Sequence, residues 1–250
     1  MQLVRVRFIS KENAGCEMAP VEIMNELRNV KNVDLDKMNL EEIHVDLENK
    51  VEANHLIFEN GKEIFEMNDL SFFIGGDNNI NYSLIKAFDK IVGGMLVVFD
   101  AHTNCEEEGW IRKLVENGFN GRRIILIGCR NYSDEELKFI KKEEISLIKM
   151  EVLNEDLNGV CDMIMERLKN GKGFYVNFSM NVIDPGFAPG VCNLESGGIS
   201  GNDSLYFARR LKLLNNFRGL GVVNVDPTKD LNGISVNLAS RILGTVISKN

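Results

Sequence analysis

Short apolar segments recur along the chain and are separated by stretches with helical spacing. Seven of these segments are "LVRVRFI", "LSFFI", "MLVVFD", "RIILIGC", "ISLIKM", "GFYVNFSM" and "GLGVVNVD". Several are almost continuously apolar instead of alternating, which is typical of strands covered on both faces in a parallel sheet. These segments predict the strands of a mostly parallel sheet.

Between the apolar segments, hydrophobic residues recur every three or four positions. This spacing predicts amphipathic helices over residues 80–91, 157–168 and 234–246. Alternating strands and helices indicate an α/β fold, and we expect residues 1–250 to form a single domain. Residues 30–68 are less regular and are expected to hold extra short strands.

Composition narrows the classes of function. The chain has 250 residues, 44% of them hydrophobic, which suffices for a substantial core, and a formal net charge of −8. That charge argues against general binding to nucleic acid or to an anionic membrane. No apolar run approaches the roughly 18 residues of a membrane span, and the first residues do not resemble a cleaved signal. We therefore expect a soluble, cytoplasmic protein.

The five cysteines are scattered and contain no Cys-x-x-Cys pair: Cys16, Cys105, Cys129, Cys161 and Cys192. The odd number of cysteines and their scattered spacing favour reduced thiols over a disulfide framework or a structural zinc site.

Polar side chains follow three of the predicted strands. They are Asp77, Asn78 and Asn79 after the second segment, Asp100, His102 and Asn104 after the third, and Ser179, Asn181 and Asp184 after the sixth. Ligands of parallel α/β sheets bind beyond the carboxyl ends of the strands, so these clusters predict one shared site. The alternative is that they are merely polar loop residues.

The same three clusters resemble motifs of the ureohydrolase superfamily, which includes arginase, agmatinase and formimidoylglutamase. "GGDNN" at 75–79, "DAHTN" at 100–104 and "NFSMNVIDPGFAPGVCNLESGG" at 177–198 follow the order of that family's motifs. The resemblance extends from about residue 70 to the C-terminus. It implies a three-layer α/β/α fold around a mostly parallel sheet, with two manganese ions at the strand ends.

Only two of the six metal ligands of that family are kept in this chain. Asp100 and His102 match ligands, whereas four positions carry other residues: Asn78, Asn104, Ser179 and Asn181. Two divalent ions about 4 Å apart repel by roughly 16 kcal/mol at an effective dielectric constant of ~20. One carboxylate where the family has four leaves that repulsion largely uncompensated, so we expect no manganese pair.

A single ion is harder to exclude from the sequence. Asp100, His102 and the amide oxygen of Asn181 could hold one weakly bound manganese or zinc, in a site resembling that of the related histone deacetylases. Alternatively, His102 is hydrogen-bonded to Asp100 or to a neighbouring amide, and no cofactor is bound. We favour the second interpretation.

The resemblance assigns no catalytic residue. Where agmatinase-like proteins carry a catalytic histidine, this chain has Glu107 or Glu108, and the acids 106–108 are more simply read as a helix start before Trp110. Glu195 matches the family carboxylate that contacts the substrate guanidinium. The alternative for Glu195 is an acid in a surface loop.

Three hypotheses about function follow from these observations. The leading hypothesis is a ureohydrolase-like protein without catalytic activity, which acts as a ligand-binding, regulatory or structural member and recognises a small cationic amine or guanidino compound. The alternative is an arginase- or agmatinase-like amidine hydrolase with an atypical, mononuclear metal site; deacylation at one zinc is a third possibility. Family analogy predicts a homo-oligomer, either a trimer or a hexamer.

Overall fold

A parallel sheet forms the centre of the computed structural model, which describes residues 1–248. Within these residues the strands are β1 (Gln2–Val6), β2 (Asn39–Ile43), β3 (Ser71–Gly75), β4 (Met95–Phe99), β5 (Ile124–Cys129), β6 (Ser146–Lys149), β7 (Phe174–Ser179) and β8 (Phe217–Val223). Their order across the sheet is β2-β1-β3-β8-β7-β4-β5-β6, and every pair of neighbours is parallel. The seven predicted strands and the parallel sheet are confirmed.

Helices cover both faces of this sheet. They are α1 (Ala19–Leu27), α2 (Lys50–Met67), α3 (Asn81–Ile91), α4 (Trp110–Glu116), α5 (Asp134–Lys142), α6 (Met150–Glu155), α7 (Leu157–Leu168), α8 (Gly201–Leu211) and α9 (Ile234–Ile247). One hydrophobic core joins α1 and α6–α9 to one face, and a second core joins α2–α5 to the other. The structure is thus the three-layer α/β/α arrangement expected from the sequence.

The packing of strand β7 explains why its sequence is almost continuously apolar. Phe174, Val176 and Phe178 face one core, whereas Tyr175 faces the other, and all four side chains are buried. Because helices cover both faces of the central strands, both faces are predominantly apolar, and Asn177 is a buried polar exception in β7.

Residues 30–68 differ from the expectation. They contain one short strand, β2, but also the 18-residue helix α2, which was not predicted. Only five residues of α2 are buried, so its apolar stripe is narrow. Strand β2 lies at the edge of the sheet, where its residues from Asn39 to Glu41 are exposed. None of the helices within residues 1–248 combines the length and the apolarity needed to cross a bilayer.

The expectation that all the cysteines are reduced is wrong for two of them. Cys16, which follows β1, is joined by a disulfide to Cys192, which follows β7, across 176 residues of sequence. Cys105, Cys129 and Cys161 are free and buried. The pairing was not visible in the sequence because it depends on the fold, which brings two distant loops together at the carboxyl edge of the sheet.

The disulfide predicts a redox-dependent stability. In the absence of reductant, Cys192→Ser should lower the free energy of unfolding by about 2–4 kcal/mol, because the unfolded chain is no longer cross-linked. Urea denaturation with and without dithiothreitol measures this difference. With reductant, the two proteins should unfold at closely similar urea concentrations. An equal loss of stability under both conditions would show that the cross-link is not the cause.

Candidate functional site

Four neighbouring strands bring the polar side chains together at the carboxyl edge of the sheet. Asn78 follows β3, Asp100 follows β4, Ser179 ends β7, and Asn224 follows β8. These strands are contiguous in the order β3-β8-β7-β4. The three polar clusters predicted from the sequence are therefore assembled in one region.

The turn after β3 requires glycine. A Cβ atom on Gly76 would lie 2.4 Å from a side-chain carbon of Ile9 and 2.7 Å from the carbonyl oxygen of Phe8. The carbonyl of Gly76 also accepts a hydrogen bond from the backbone N–H of Asn224 at 2.8 Å. This close backbone approach connects β3 to β8 and fixes the start of the segment that carries Asn78.

The carboxylate of Asp100 is completely buried and accepts three hydrogen bonds from neutral N–H groups. Its Oδ2 accepts hydrogen bonds from the side-chain amides of Asn78 at 3.1 Å and Asn104 at 3.2 Å. Its Oδ1 accepts a third hydrogen bond, from the backbone N–H of His102 at 3.2 Å. A buried carboxylate needs such partners, and here the protein itself supplies them.

His102 lies between two carboxylates. Its Nδ1 is 3.6 Å from Oδ1 of Asp100, and its Nε2 is 3.3 Å from Oε1 of Glu195. The interaction with Asp100 raises the pKa of His102, and Glu195 acts in the same direction. Burial alone would raise the pKa of Asp100, but His102 and the Asn78 amide outweigh it and lower that pKa. Both shifts favour a charged pair.

Side-chain amides form a chain across the site. The amide nitrogen of Asn81 donates to Oδ1 of Asn78 at 2.9 Å, and the amide nitrogen of Asn78 donates to Oδ1 of Asn104 at 3.0 Å. Asn104 has a φ of 54°, in the left-handed region that asparagine adopts more readily than most residues. The Asn78 nitrogen therefore points toward Asp100 and Asn104, while its oxygen points away.

Ser179 and Asn181 are also hydrogen-bonded within the protein. The hydroxyl oxygen of Ser179 accepts from the amide of Asn224 at 2.9 Å and from the backbone N–H of Asn181 at 3.3 Å. The side-chain oxygen of Asn181 accepts from the backbone N–H of Asn193 at 3.3 Å. Each of the four substituted positions thus takes part in a protein hydrogen bond.

A cavity of about 270 Å³ opens over this network. It is lined by polar residues: Asn78, His102, Asn104, Glu106, Asn131, Glu136, Asn181 and Asn193. The acid that precedes α4 and reaches this cavity is Glu106. Glu107 and Glu108, which the sequence suggested for that region, do not line it, and Glu108 instead pairs with Lys113.

The other lining residues were not singled out from the sequence, although Asn193 lies within the motif at 177–198. Asn131 and Glu136 follow β5, and Asn193 lies in the loop after β7. Glu136 also caps α5 and accepts a hydrogen bond from the hydroxyl of Thr103. The polar run "CRNYSDEE" after a buried strand was the available signal for Asn131 and Glu136.

The donor set does not suit a manganese pair. Divalent manganese is held by anionic oxygen and imidazole ligands, and the substituted positions offer amide and hydroxyl groups instead. At Asn78 a donating N–H group, which cannot coordinate a metal, faces the carboxylate of Asp100. Among residues 1–248, no group of three or more histidine, cysteine or acidic side chains is arranged to hold a metal ion.

Comparison with known proteins identifies the family. The sequence profile described as the arginase family matches residues 4–248. The chain belongs to the arginase family. It is 27% identical over 223 residues to formimidoylglutamase of Bacillus subtilis, covering 82% of this chain and 69% of that protein. It is also 27% identical over 211 residues to the mitochondrial arginase 1 of Arabidopsis thaliana, covering 78% of this chain but only 59% of that longer protein.

Solved structures share the fold of this arginase-family chain. Formimidoylglutamase of Bacillus subtilis superposes with a TM-score of 0.91 at 23% identity, covering 99% of this chain and 86% of the other. Proclavaminate amidino hydrolase of Streptomyces clavuligerus superposes with a TM-score of 0.89 at 20% identity, covering 98% and 90%. At these identities the superpositions establish the fold alone.

The network makes Asn104 sensitive to a charged replacement. Asn104→Asp keeps the side-chain size and tolerates the left-handed backbone, but it removes the amide donor to Asp100 and places a second carboxylate beside the first. Without metal, the loss should be about 1–3 kcal/mol in the free energy of unfolding at neutral pH. Urea denaturation in the presence of a chelator measures it.

The exposed Asn120 provides a matched control for this substitution. Its side chain accepts a hydrogen bond from the backbone N–H of Arg122, which an aspartate can also accept. Asn120→Asp should therefore change the free energy of unfolding by less than about 0.5 kcal/mol. Equal stability of Asn104→Asp and the wild-type protein would contradict the network described here.

Proposed function

We propose that this arginase-family protein lacks the binuclear manganese centre and binds a small cationic amine or guanidino compound without hydrolysing it. The observation that carries this proposal is the set of neutral donors around Asp100. Asn78 and Asn104 occupy two of the positions at which the family motif places metal ligands, and their amide groups satisfy the one remaining carboxylate.

The charge of the cavity favours a cationic ligand. Glu106 and Glu136 line it, and Glu195 contacts its lining residue Asn131. Nε2 of His102 lies 3.3 Å from Oε1 of Glu195, and the guanidinium of Arg130 donates its N–H groups to backbone carbonyls. The cavity lies slightly below the roughly 300–1,000 Å³ of ordinary ligand pockets, which is consistent with a small ligand.

Glu195 has the exposure and orientation required to contact such a ligand. Its side chain is 30% exposed, and its Oε1 accepts a hydrogen bond from the amide of Asn131 at 2.6 Å. The same oxygen faces Nε2 of His102. Among the described residues, Oε2 of Glu195 accepts no hydrogen bond, which leaves it available to an ammonium or guanidinium group.

The names of the related proteins support the same class of ligand. Proclavaminate amidino hydrolase and the agmatine ureohydrolase of Thermoplasma volcanium are among the proteins that share this fold. Each name refers to an amidino or guanidino compound. We propose that this chain binds a ligand of the same class. The hydrolysis named for those relatives is not part of the proposal.

An amidine hydrolase with an atypical, mononuclear metal site is the second candidate. It is favoured by Asp100 and His102, which are the two metal ligands of the family that this chain keeps. This candidate requires urea release that depends on added manganese or zinc and is abolished by His102→Ala. Assembly into a trimer or hexamer stays a prediction from the family.

The proposed ligand contact predicts that Glu195→Gln weakens binding. Agmatine, which carries a guanidinium and an amine, is the probe, and isothermal titration calorimetry measures its affinity. Loss of a charge-assisted hydrogen bond should reduce the affinity about tenfold or more. Glu107→Gln, which neutralises an exposed acid outside the cavity lining, should leave the affinity almost unchanged. Absence of agmatine binding to the wild-type protein would contradict the proposal for this class of ligand.

A further inference from the structure

Arg130 lies directly after β5 and uses every N–H group of its guanidinium. The five donors all reach backbone carbonyl oxygens at distances from 2.6 to 3.3 Å. The accepting residues are Gly128, Asn181, Val182, Glu195 and Ser196. A planar guanidinium with five fixed donors can satisfy such an arrangement, whereas a lysine ammonium has only three donors.

These contacts connect three segments of the site. The backbone N–H of Arg130 donates to the carbonyl of Ala101, between Asp100 and His102, at 2.8 Å. The guanidinium donates to the turn at Asn181 and to the loop at Glu195. Arg130 therefore ties the loop carrying Glu195 to the strand ends that carry the buried carboxylate and the histidine.

The rest of that loop is attached independently on both sides of Glu195. Before it, Cys192 is held by the disulfide and by a hydrogen bond to the carbonyl of Asn224, and the N–H of Asn193 donates to Asn181. After it, the backbone N–H groups of Gly197 and Gly198 donate to the carboxylate of Asp184 at 2.7 and 3.2 Å, respectively.

The middle of the loop depends on Arg130 and its neighbour. Within residues 1–248, the backbone N–H groups of residues 194–196 donate no hydrogen bond to another backbone group. The carbonyls of Glu195 and Ser196 accept from Arg130, and the carboxylate of Glu195 accepts from the amide of Asn131. Two consecutive residues after β5 thus hold both the backbone and the side chain of Glu195.

We infer that Arg130 is a positioning residue that holds the Glu195 carboxylate at the cavity without contacting the ligand. Its effect on ligand binding rests on the proposed function, whereas its effect on the loop does not. The order of the segment 194–196 and the affinity for a cationic probe are therefore separate measurements.

NMR relaxation of the free protein tests the positioning directly. In Arg130→Lys, the backbone order parameters of residues 194–196 should fall from about 0.85 to below about 0.6, while those of the sheet strands stay at about 0.85. Arg123→Lys is the matched control, because Arg123 lies at the opposite end of β5 and donates to the carbonyl of Gly94. Unchanged order parameters at residues 194–196 in Arg130→Lys would overturn the inference.

A double-mutant cycle with agmatine tests whether Arg130 acts through Glu195. Arg130→Lys alone should weaken agmatine binding about tenfold, and it should have little further effect in the Glu195→Gln background. Equal effects in both backgrounds would show that Arg130 acts elsewhere and would overturn its role in binding. If wild-type protein does not bind agmatine, the proposed function fails, and the NMR relaxation experiment alone decides whether Arg130 positions the loop.

Discussion

A buried carboxylate must be compensated by a cation or by hydrogen-bond donors, and the site of this protein is organised around that constraint. Asp100 is inaccessible to solvent at the end of a central strand, and it accepts hydrogen bonds from two asparagine amides and one backbone N–H. The amides belong to Asn78 and Asn104, which the motif resemblance aligns with metal ligands of the family. Under the proposed function, these donors and His102 together compensate the charge of Asp100.

The parallel sheet makes this arrangement possible. Because the strands β3, β8, β7 and β4 are adjacent and parallel, the residues that follow them meet at one edge, although they are up to about 150 positions apart in sequence. The loops above that edge are attached to one another by a disulfide, by the Asp184 carboxylate and by the Arg130 guanidinium. A cavity lined by polar groups results, with Glu195 beside it.

Much of this fold could be predicted from the sequence because buried parallel strands are continuously apolar. Helix α2 was not predicted, and the edge strand β2 was expected only as a short strand of unspecified position within residues 30–68, since a narrow apolar stripe and exposed polar residues give little periodic signal. The motifs identified Asp100, His102 and the substituted positions. They could not show which atom of the Asn78 amide faces Asp100. Arg130 was missed because all its side-chain partners are backbone carbonyls, and such contacts leave no pattern in the sequence.

Manganese stoichiometry tests the central claim most directly. Equilibrium dialysis of the wild-type protein against micromolar manganese, followed by metal analysis, should give well under one ion per chain, since one carboxylate cannot compensate two dications. A variant with the family ligands restored, Asn78→His, Asn104→Asp, Ser179→Asp and Asn181→Asp, serves as the comparison and should bind more manganese. Two tightly bound manganese ions per wild-type chain would contradict the account.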